Sequence, residues 1–167
     1  MFFVKSAEKS CCPICQYNLK VAGSRKRVRI TSSSEKEILI IRRLYCEPCN
    51  KIHHELPDVL VPYKRYDSES IQSIISEELL SSVSADESTV CRWKQWFRDM
   101  CTYYFQSLLA LYQQLRLETN GVQSRTHRTA LEGIIQLVGH KERWLAQVVR
   151  KLVNSNMWVQ TRSALLS

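Results

Sequence analysis

Cys12-Pro13-Ile14-Cys15 and, thirty residues further on, Cys46-Glu47-Pro48-Cys49 are the stretches that decide how this chain is read. Each C-x-x-C pair sets two thiolates on a tight knuckle, and two such pairs close a tetrahedral four-sulfur zinc site. The residues between them supply strands. Leu19–Val21 and Val28–Ile30 flank Gly23-Ser24, and Glu37–Leu44 carries the β-branched Ile38, Ile40 and Ile41 behind the turn signal Ser32-Ser33-Ser34. Knuckle, strands and knuckle in that order is a zinc ribbon. The expectation is one structural zinc per chain, held by Cys12, Cys15, Cys46 and Cys49, with no ligand position left for water. A redox reading asks for a single C-x-x-C beside a βαβ pattern, and there is no crossover helix here. Structural disulfides would need an oxidising compartment. Cys11 stays a spare thiol, because Cys12 preserves the C-P-x-C knuckle. His53 and His54 follow the second knuckle, where phosphate contact or packing is expected rather than metal ligation.

Working outward, the chain has 167 residues, enough for one ordinary domain or two small ones. It is too short for a DNA-binding front end plus a large catalytic domain. Hydrophobic residues make up 44% and there are only four Gly and four Pro, which excludes a disordered or collagen-like chain. No apolar run reaches the roughly 18 residues of a membrane span, and Met1–Lys5 is too short for a signal-peptide core. A cytoplasmic, nucleoid-associated location is expected.

Formal charge is +8, unevenly spread. Residues 20–65 hold eleven basic and five acidic side chains, residues 66–91 six acidic and no basic ones, and residues 92–167 eleven basic and four acidic. That change of character near Tyr66 implies at least two units. Arg25, Lys26, Arg27 and Arg29 fall on the ribbon's hairpin, Arg42 and Arg43 just before the second knuckle, and Lys64 and Arg65 after it. Cations on a stiff β scaffold, interleaved with Tyr45, Tyr63 and Tyr66, suit a phosphate backbone. The plainer alternative is a solvated strand face.

From Ser68 the periodicity becomes helical, with Ile71, Ile74, Ile75, Leu79 and Leu80 on one face and Asp67 or Ser68 as the N-cap signal. A Ser-rich break over 81–86 precedes a long amphipathic helix from Glu87, whose apolar positions are Val90, Trp93, Phe97, Met100, Tyr104, Leu108, Leu111 and Leu115. Helix, short turn and helix reads as a helix-turn-helix, in which Ser88, Thr89, Arg92, Lys94 and Gln95 would face the major groove. The acidic Glu69, Glu77 and Glu78 on the first helix argue against that geometry, and a plain helical hairpin is the alternative. Glu118–Gly121 reads as a C-cap. Beyond it lie Leu131, Ile134, Ile135 and Val138, then a wide stripe of Trp144, Leu145, Val148, Val149, Leu152 and Val153. The expected fold is α+β, with a zinc ribbon over 1–66, a helix-turn-helix over 67–118, and helices over 119–167 that pack on the long helix or form a homodimer interface.

The run from Ile41 through Cys46-Glu47-Pro48-Cys49, Ile52-His53-His54-Glu55-Leu56-Pro57-Asp58 and Val61-Pro62-Tyr63-Lys64-Arg65-Tyr66 resembles the zinc-ribbon front end of insertion-sequence transposases. With the ending Trp158-Val159-Gln160-Thr161-Arg162-Ser163-Ala164, the chain as a whole resembles a family of small Bacillota proteins carrying this ribbon. The resemblance implies architecture and origin rather than a reaction. Such transposases continue into an RNase-H-like domain with three separated carboxylates. After Asp86 this chain has only Asp99, Glu118, Glu132 and Glu142, and no strand-rich segment to hold them. A P-loop, a nucleophile elbow and a His-Glu-x-x-His motif are also missing. The expected function is non-catalytic, zinc-dependent binding of double-stranded DNA by a transposase-derived regulator or transposition accessory. The rival is a protein-interaction adaptor for a transposase, recombinase or RNA polymerase.

Overall fold

A computed structural model describes residues 1–6, 9–76, 83–115, 127–139, 141–159 and 164–166. Leu79, Leu80, Glu77 and Glu78, the Ser81-Ser82 break, the Glu118–Gly121 cap and residues 160–163 of the Trp158–Ala164 ending lie outside them. The chain is α+β, with a strand-rich N-terminal region followed, among the described residues, by four helices.

The sheet is built on β3, Lys36–Cys46, whose isoleucine-rich run favours a pleated, half-buried surface. Its partner β2, Lys20–Ile30, runs antiparallel from Lys20↔Tyr45 to Ile30↔Lys36. The two short strands expected on either side of Gly23-Ser24 are therefore one strand. The Gly23-Ser24 signal marks a bulge between Val21 and Gly23, where Gly23 takes a φ of 136° closed to other residues. The reversal comes later, at 31–35, closed by Thr31 N–H to Glu35 O at 3.0 Å. The other edge of β3 is divided between β1, Phe2–Phe3, parallel at Leu39–Ile40, and β4, Lys51–Leu56, antiparallel at Arg43–Cys46. β5, Ala164–Leu166, lies parallel to β4 and is wholly buried.

Helix α1, Ser68–Ile75, starts where Asp67 accepts the Ser70 N–H at 2.9 Å. Helix α2, Glu87–Gln114, is the long one, capped by Asp86. Helix α3 is His127–Val138, and a 3-10 turn at Lys141–Arg143 leads into α4, Trp144–Asn154. The α4 stripe is buried within the chain, so a second copy is not needed to cover it. Gln72 clips α4 to α1: its amide donates to Glu142 O at 2.8 Å and accepts from Leu145 N–H at 3.1 Å. Tyr104 and Trp158 stack at 4.7 Å between centroids, 8° from parallel.

One buried cluster joins Leu39, Ile41 and Leu56 of the sheet to Ile71, Trp93, Phe97, Ile134, Trp144 and Trp158. The stretches expected as ribbon, helix-turn-helix and C-terminal helices thus share a core. The β2–β3 turn also grips the approach to α2, because Ser84 N–H donates to Ser32 O at 3.0 Å and Ser34 Oγ donates to Ser84 O at 2.6 Å. No helix among the described residues is long and apolar enough to cross a membrane.

Candidate metal centre and basic face

The two knuckles share one backbone device. Cys12 N–H donates to Tyr17 O and Gln16 N–H to Cys12 O in the first, and Asn50 N–H donates to Glu47 O in the second. The residue after each second cysteine is left-handed, Gln16 at φ 59° and Asn50 at φ 49°. The result converges Cys12, Cys15, Cys46 and Cys49 until all four sulfurs lie within 4.8 Å of one another. Cys12 and Cys49 are 3.9 Å apart, and Cys15 and Cys46 are 3.4 Å apart. A tetrahedron with metal–sulfur bonds of about 2.3 Å has edges of about 3.8 Å, so these residues fit a four-thiolate metal. Cys15 is held down at about 7, first by a backbone hydrogen bond at Tyr17 and next by Cys49, while the bond to Cys15 pushes Cys49 up to about 12. Cys15 ionises readily while Cys46 and Cys49 resist ionisation, and a dication would remove that resistance by displacing their protons.

Cys11 stands apart, its sulfur 3.7 Å from Asn18 Oδ1. His53 is fully buried on β4, with Nε2 3.4 Å from Cys12 Sγ and Nδ1 without a partner among the described residues. Burial, then Lys51 and His54, pulls it below its ordinary value. The buried ring thus packs its Nε2 directly against the Cys12 sulfur, beside the four-cysteine cluster. Packing on the ribbon was one of the two roles expected for it, but the contact with Cys12 was not anticipated. The available signal was the cross-strand position of His53 opposite Leu44.

The first knuckle is also anchored through a buried ion pair. Arg42 Nε and Nη2 donate to the two oxygens of Glu55, each at 2.6 Å, and Ser10 Oγ donates to Glu55 Oε1 at 3.2 Å. Arg42 was expected on phosphate, and this fork holds it instead. Arg29 departs from expectation for the same reason, lying 3.2 Å from Glu37 and 3.1 Å from Asp67. Lys64 sits half-buried, its ammonium 4.4 Å from the centre of the Trp96 ring and lowered mainly by desolvation.

The remaining cations gather on one side. Arg25 is opposite Ile41, Arg27 opposite Leu39, and Arg43 opposite His54, so these side chains share the sheet face that carries the buried Leu39 and Ile41. Arg27 Nη2 donates to Lys64 O at 2.9 Å, which brings Arg65 close as well. Lys26, opposite Ile40, points to the other face. Among the described residues, Arg25, Arg27, Arg43 and Arg65 form no ion pair.

At the start of α2 the polar groups are engaged locally. Asp86 accepts from Ser88 Oγ, Thr89 Oγ1 and Thr89 N–H, Arg92 donates to Thr89 Oγ1 at 3.0 Å and Ser88 O at 3.2 Å, and Gln95 donates to Asp99 at 2.7 Å. Ser88, Arg92 and Gln95 are exposed, and Thr89 and Lys94 are half-buried.

A domain of unknown function, DUF6431, spans residues 12–93. No curated protein and no solved structure matches the chain. The DUF6431 stretch begins on the first sulfur ligand candidate and ends on Trp93, so it takes in both knuckles, β2–β4, α1 and the opening of α2. It leaves out α3, α4 and β5, although β5 completes the sheet.

Proposed function

We propose that the protein is a non-catalytic, zinc-dependent DNA-binding protein, a regulator or accessory derived from the front end of a mobile-element transposase. The four sulfurs would hold a structural zinc and make the strand region a zinc ribbon, fixing the knuckles and with them the register of β3 and β4. The observation that carries the reading is the set of guanidiniums at Arg25, Arg27, Arg43 and Arg65. They lie on or beside one sheet face with no carboxylate to neutralise them among the described residues. Cations left uncompensated on a rigid scaffold suit a polyanion. The basic surface continues toward the opening of α2, where the Arg92 charge is felt by Lys64.

The test is duplex affinity against salt. Each phosphate neutralised contributes about 0.9 to the log-log slope. Changing Arg25, Arg43 and Arg65 together to Ala should lower both affinity and slope for all sequences alike. Salt-independent affinity, or a slope unmoved by the triple change, would remove the DNA reading.

A different observation favours the adaptor reading. Met1, Phe3, Val28 and Ile38 are exposed. Register places Phe3, Val28 and Ile38 on the sheet face away from the helices, since Phe3 pairs with Ile40 and Val28 with Ile38. An apolar face of this kind suits a protein partner such as a transposase, recombinase or RNA polymerase. Retention of the wild-type protein, but not of Val28→Lys, by one of these purified partners would support it.

A further inference from the structure

Between β2, β4, β5 and the loop before α1 lies a cavity of about 110 Å³. Its floor is apolar, formed by Ile41, Leu56 and Ala164, and its polar wall is Arg25, Arg27 and His54. Arg25 Nη1 lies 3.5 Å from His54 Nε2. Arg27 spends one amino group on Lys64 O, while its Nε–H is buried without a partner among the described residues. Burial, followed by the charges of Arg25 and Arg65, pulls the Arg27 guanidinium below its ordinary value.

That arrangement is unfavourable by itself. Two like charges converge over an apolar floor, and no carboxylate lines the cavity. Elsewhere the sheet handles its sheltered guanidiniums differently, giving Arg42 to Glu55 and Arg29 to Glu37 and Asp67. Tyr63 adds a second irregularity at the mouth. It is 66% exposed and sits in the left-handed region at φ 62°, which is unfavourable for a residue with a Cβ.

We propose that this cavity is a binding site for a single phosphate group, clamped by Arg25 and Arg27, with His54 as the third polar wall. Guanidinium forks match phosphate oxygens two at a time, and a tetrahedral anion would neutralise the pair and occupy the buried Nε–H of Arg27. The inference goes beyond duplex binding, because it fixes one phosphate at one place whether that phosphate comes from a nucleic-acid backbone or from a terminal monoester.

The experiment titrates orthophosphate into the metal-loaded full chain at constant ionic strength, with chloride as the reference, following the arginine Nε–H resonances. A saturable shift at Arg27 is expected. Arg27→Lys keeps the charge but loses the fork and should weaken phosphate binding about tenfold or more, as removal of a charge-assisted bond does. Arg25→Ala should do the same. Arg98, exposed on α2 and outside the cavity, provides the control, and Arg98→Ala should leave the affinity unchanged. Absence of saturation, or equal weakening by Arg98→Ala, would overturn the site. Competition then separates the sources. Displacement of an unphosphorylated-end duplex by orthophosphate supports a backbone phosphate, whereas stronger competition by a 5′-phosphorylated oligonucleotide than by its 5′-hydroxyl form supports a terminal one. Saturable orthophosphate binding without any duplex binding would uphold the site and remove the DNA reading alone.

Discussion

Arg42 offers the sharpest separation between two accounts of the basic residues. Its neighbour Arg43 and its place before the second knuckle suggest a phosphate contact, yet its fork is closed on Glu55, which has no exposed surface, and its own side chain is only 14% exposed. Arg42→Leu would leave the Glu55 carboxylate inside the sheet with Ser10 Oγ, at 3.2 Å, as its nearest described hydrogen-bond donor. Breaking a buried pair from one side costs about 3 to 5 kcal/mol, whereas replacing both partners with apolar side chains is often close to neutral. Urea unfolding of the metal-loaded protein, followed by fluorescence of its four tryptophans, should therefore show a large loss for Arg42→Leu and recovery of most of it in Arg42→Leu/Glu55→Leu. The first knuckle should feel the single change too. Ser10 holds Glu55 through its hydroxyl and accepts Leu19 N–H through its carbonyl, so it ties that hairpin to β4. Supporting contacts around metal ligands are typically worth about 10- to 100-fold in affinity, which sets the expected weakening in a chelator competition. The reasoning fails if Arg42→Leu costs no more than about 0.5 kcal/mol, as a surface substitution does, while duplex affinity falls. Arg42 would then be a phosphate contact and the fork incidental.

Removing the metal with a chelator, or changing Cys15→Ser, should expose the backbone amides of 10–19 and 44–53 to hydrogen exchange. Protection in α2 and α4 should persist, because Leu39, Ile41 and Leu56 hold the rest of the sheet to the helical core. Cys101→Ser should destabilise the protein by about 1 to 3 kcal/mol in urea, since a hydroxyl replaces a thiol at a fully buried position of α2, where burial pushes the thiol up to about 12. Cys91→Ser, on the exposed side of the same helix, should be silent. Ser88, Thr89 and the Thr89 N–H hold Asp86 down at about 2 from an ordinary 3.8. This depressed value means that its contribution to α2 is complete above 3.8 and is lost as pH falls through about 2. An acid titration of helical circular dichroism should show that limb in the wild type and not in Asp86→Ala.

Local chemistry was legible in the sequence wherever a few adjacent residues determined it. The two C-x-x-C pairs named the four cysteines that converge, because a knuckle is a short-range object. The cap of α1 is Asp67, one of the two residues expected, whereas Asp86, read only as part of the Ser-rich break, caps α2. The roles of Arg29 and Arg42 were hidden, because their carboxylates come from Glu37, Asp67 and Glu55, brought close by strand register and by the chain's return at 65–67. On α2 the expected positions Trp93, Phe97, Tyr104 and Leu108 are buried and Val90 and Met100 pack against the core, but the buried face is wider than the stripe. The buried positions include Trp96, Cys101, Phe105 and Tyr112, while Leu115 is exposed. Period alone does not fix how wide a buried face becomes, and α2 is packed by α1, α3 and α4 together. β5 gave no signal, since three residues of Ala-Leu-Leu are too short to display alternation and become a strand only against His54–Leu56.

The distribution of cations bears on which element would touch a nucleic acid. For α2 to read bases, Arg92 would have to leave Thr89 and Ser88, and both hydroxyls would have to leave the Asp86 carboxylate that caps the helix. Recognition there competes with the interactions that start the helix. The sheet face carries no such conflict. Arg25, Arg27, Arg43 and Arg65 stand on or beside a surface whose strands are pinned at one end by the sulfur cluster and at the other by the turn that grips Ser84. Anions can therefore be received there without undoing a cap, and each one would relieve repulsion among the guanidiniums. If the protein binds DNA as proposed, positioning would fall to the sheet, with α2 alongside through Lys64 and Trp96, because the uncompensated charges lie there.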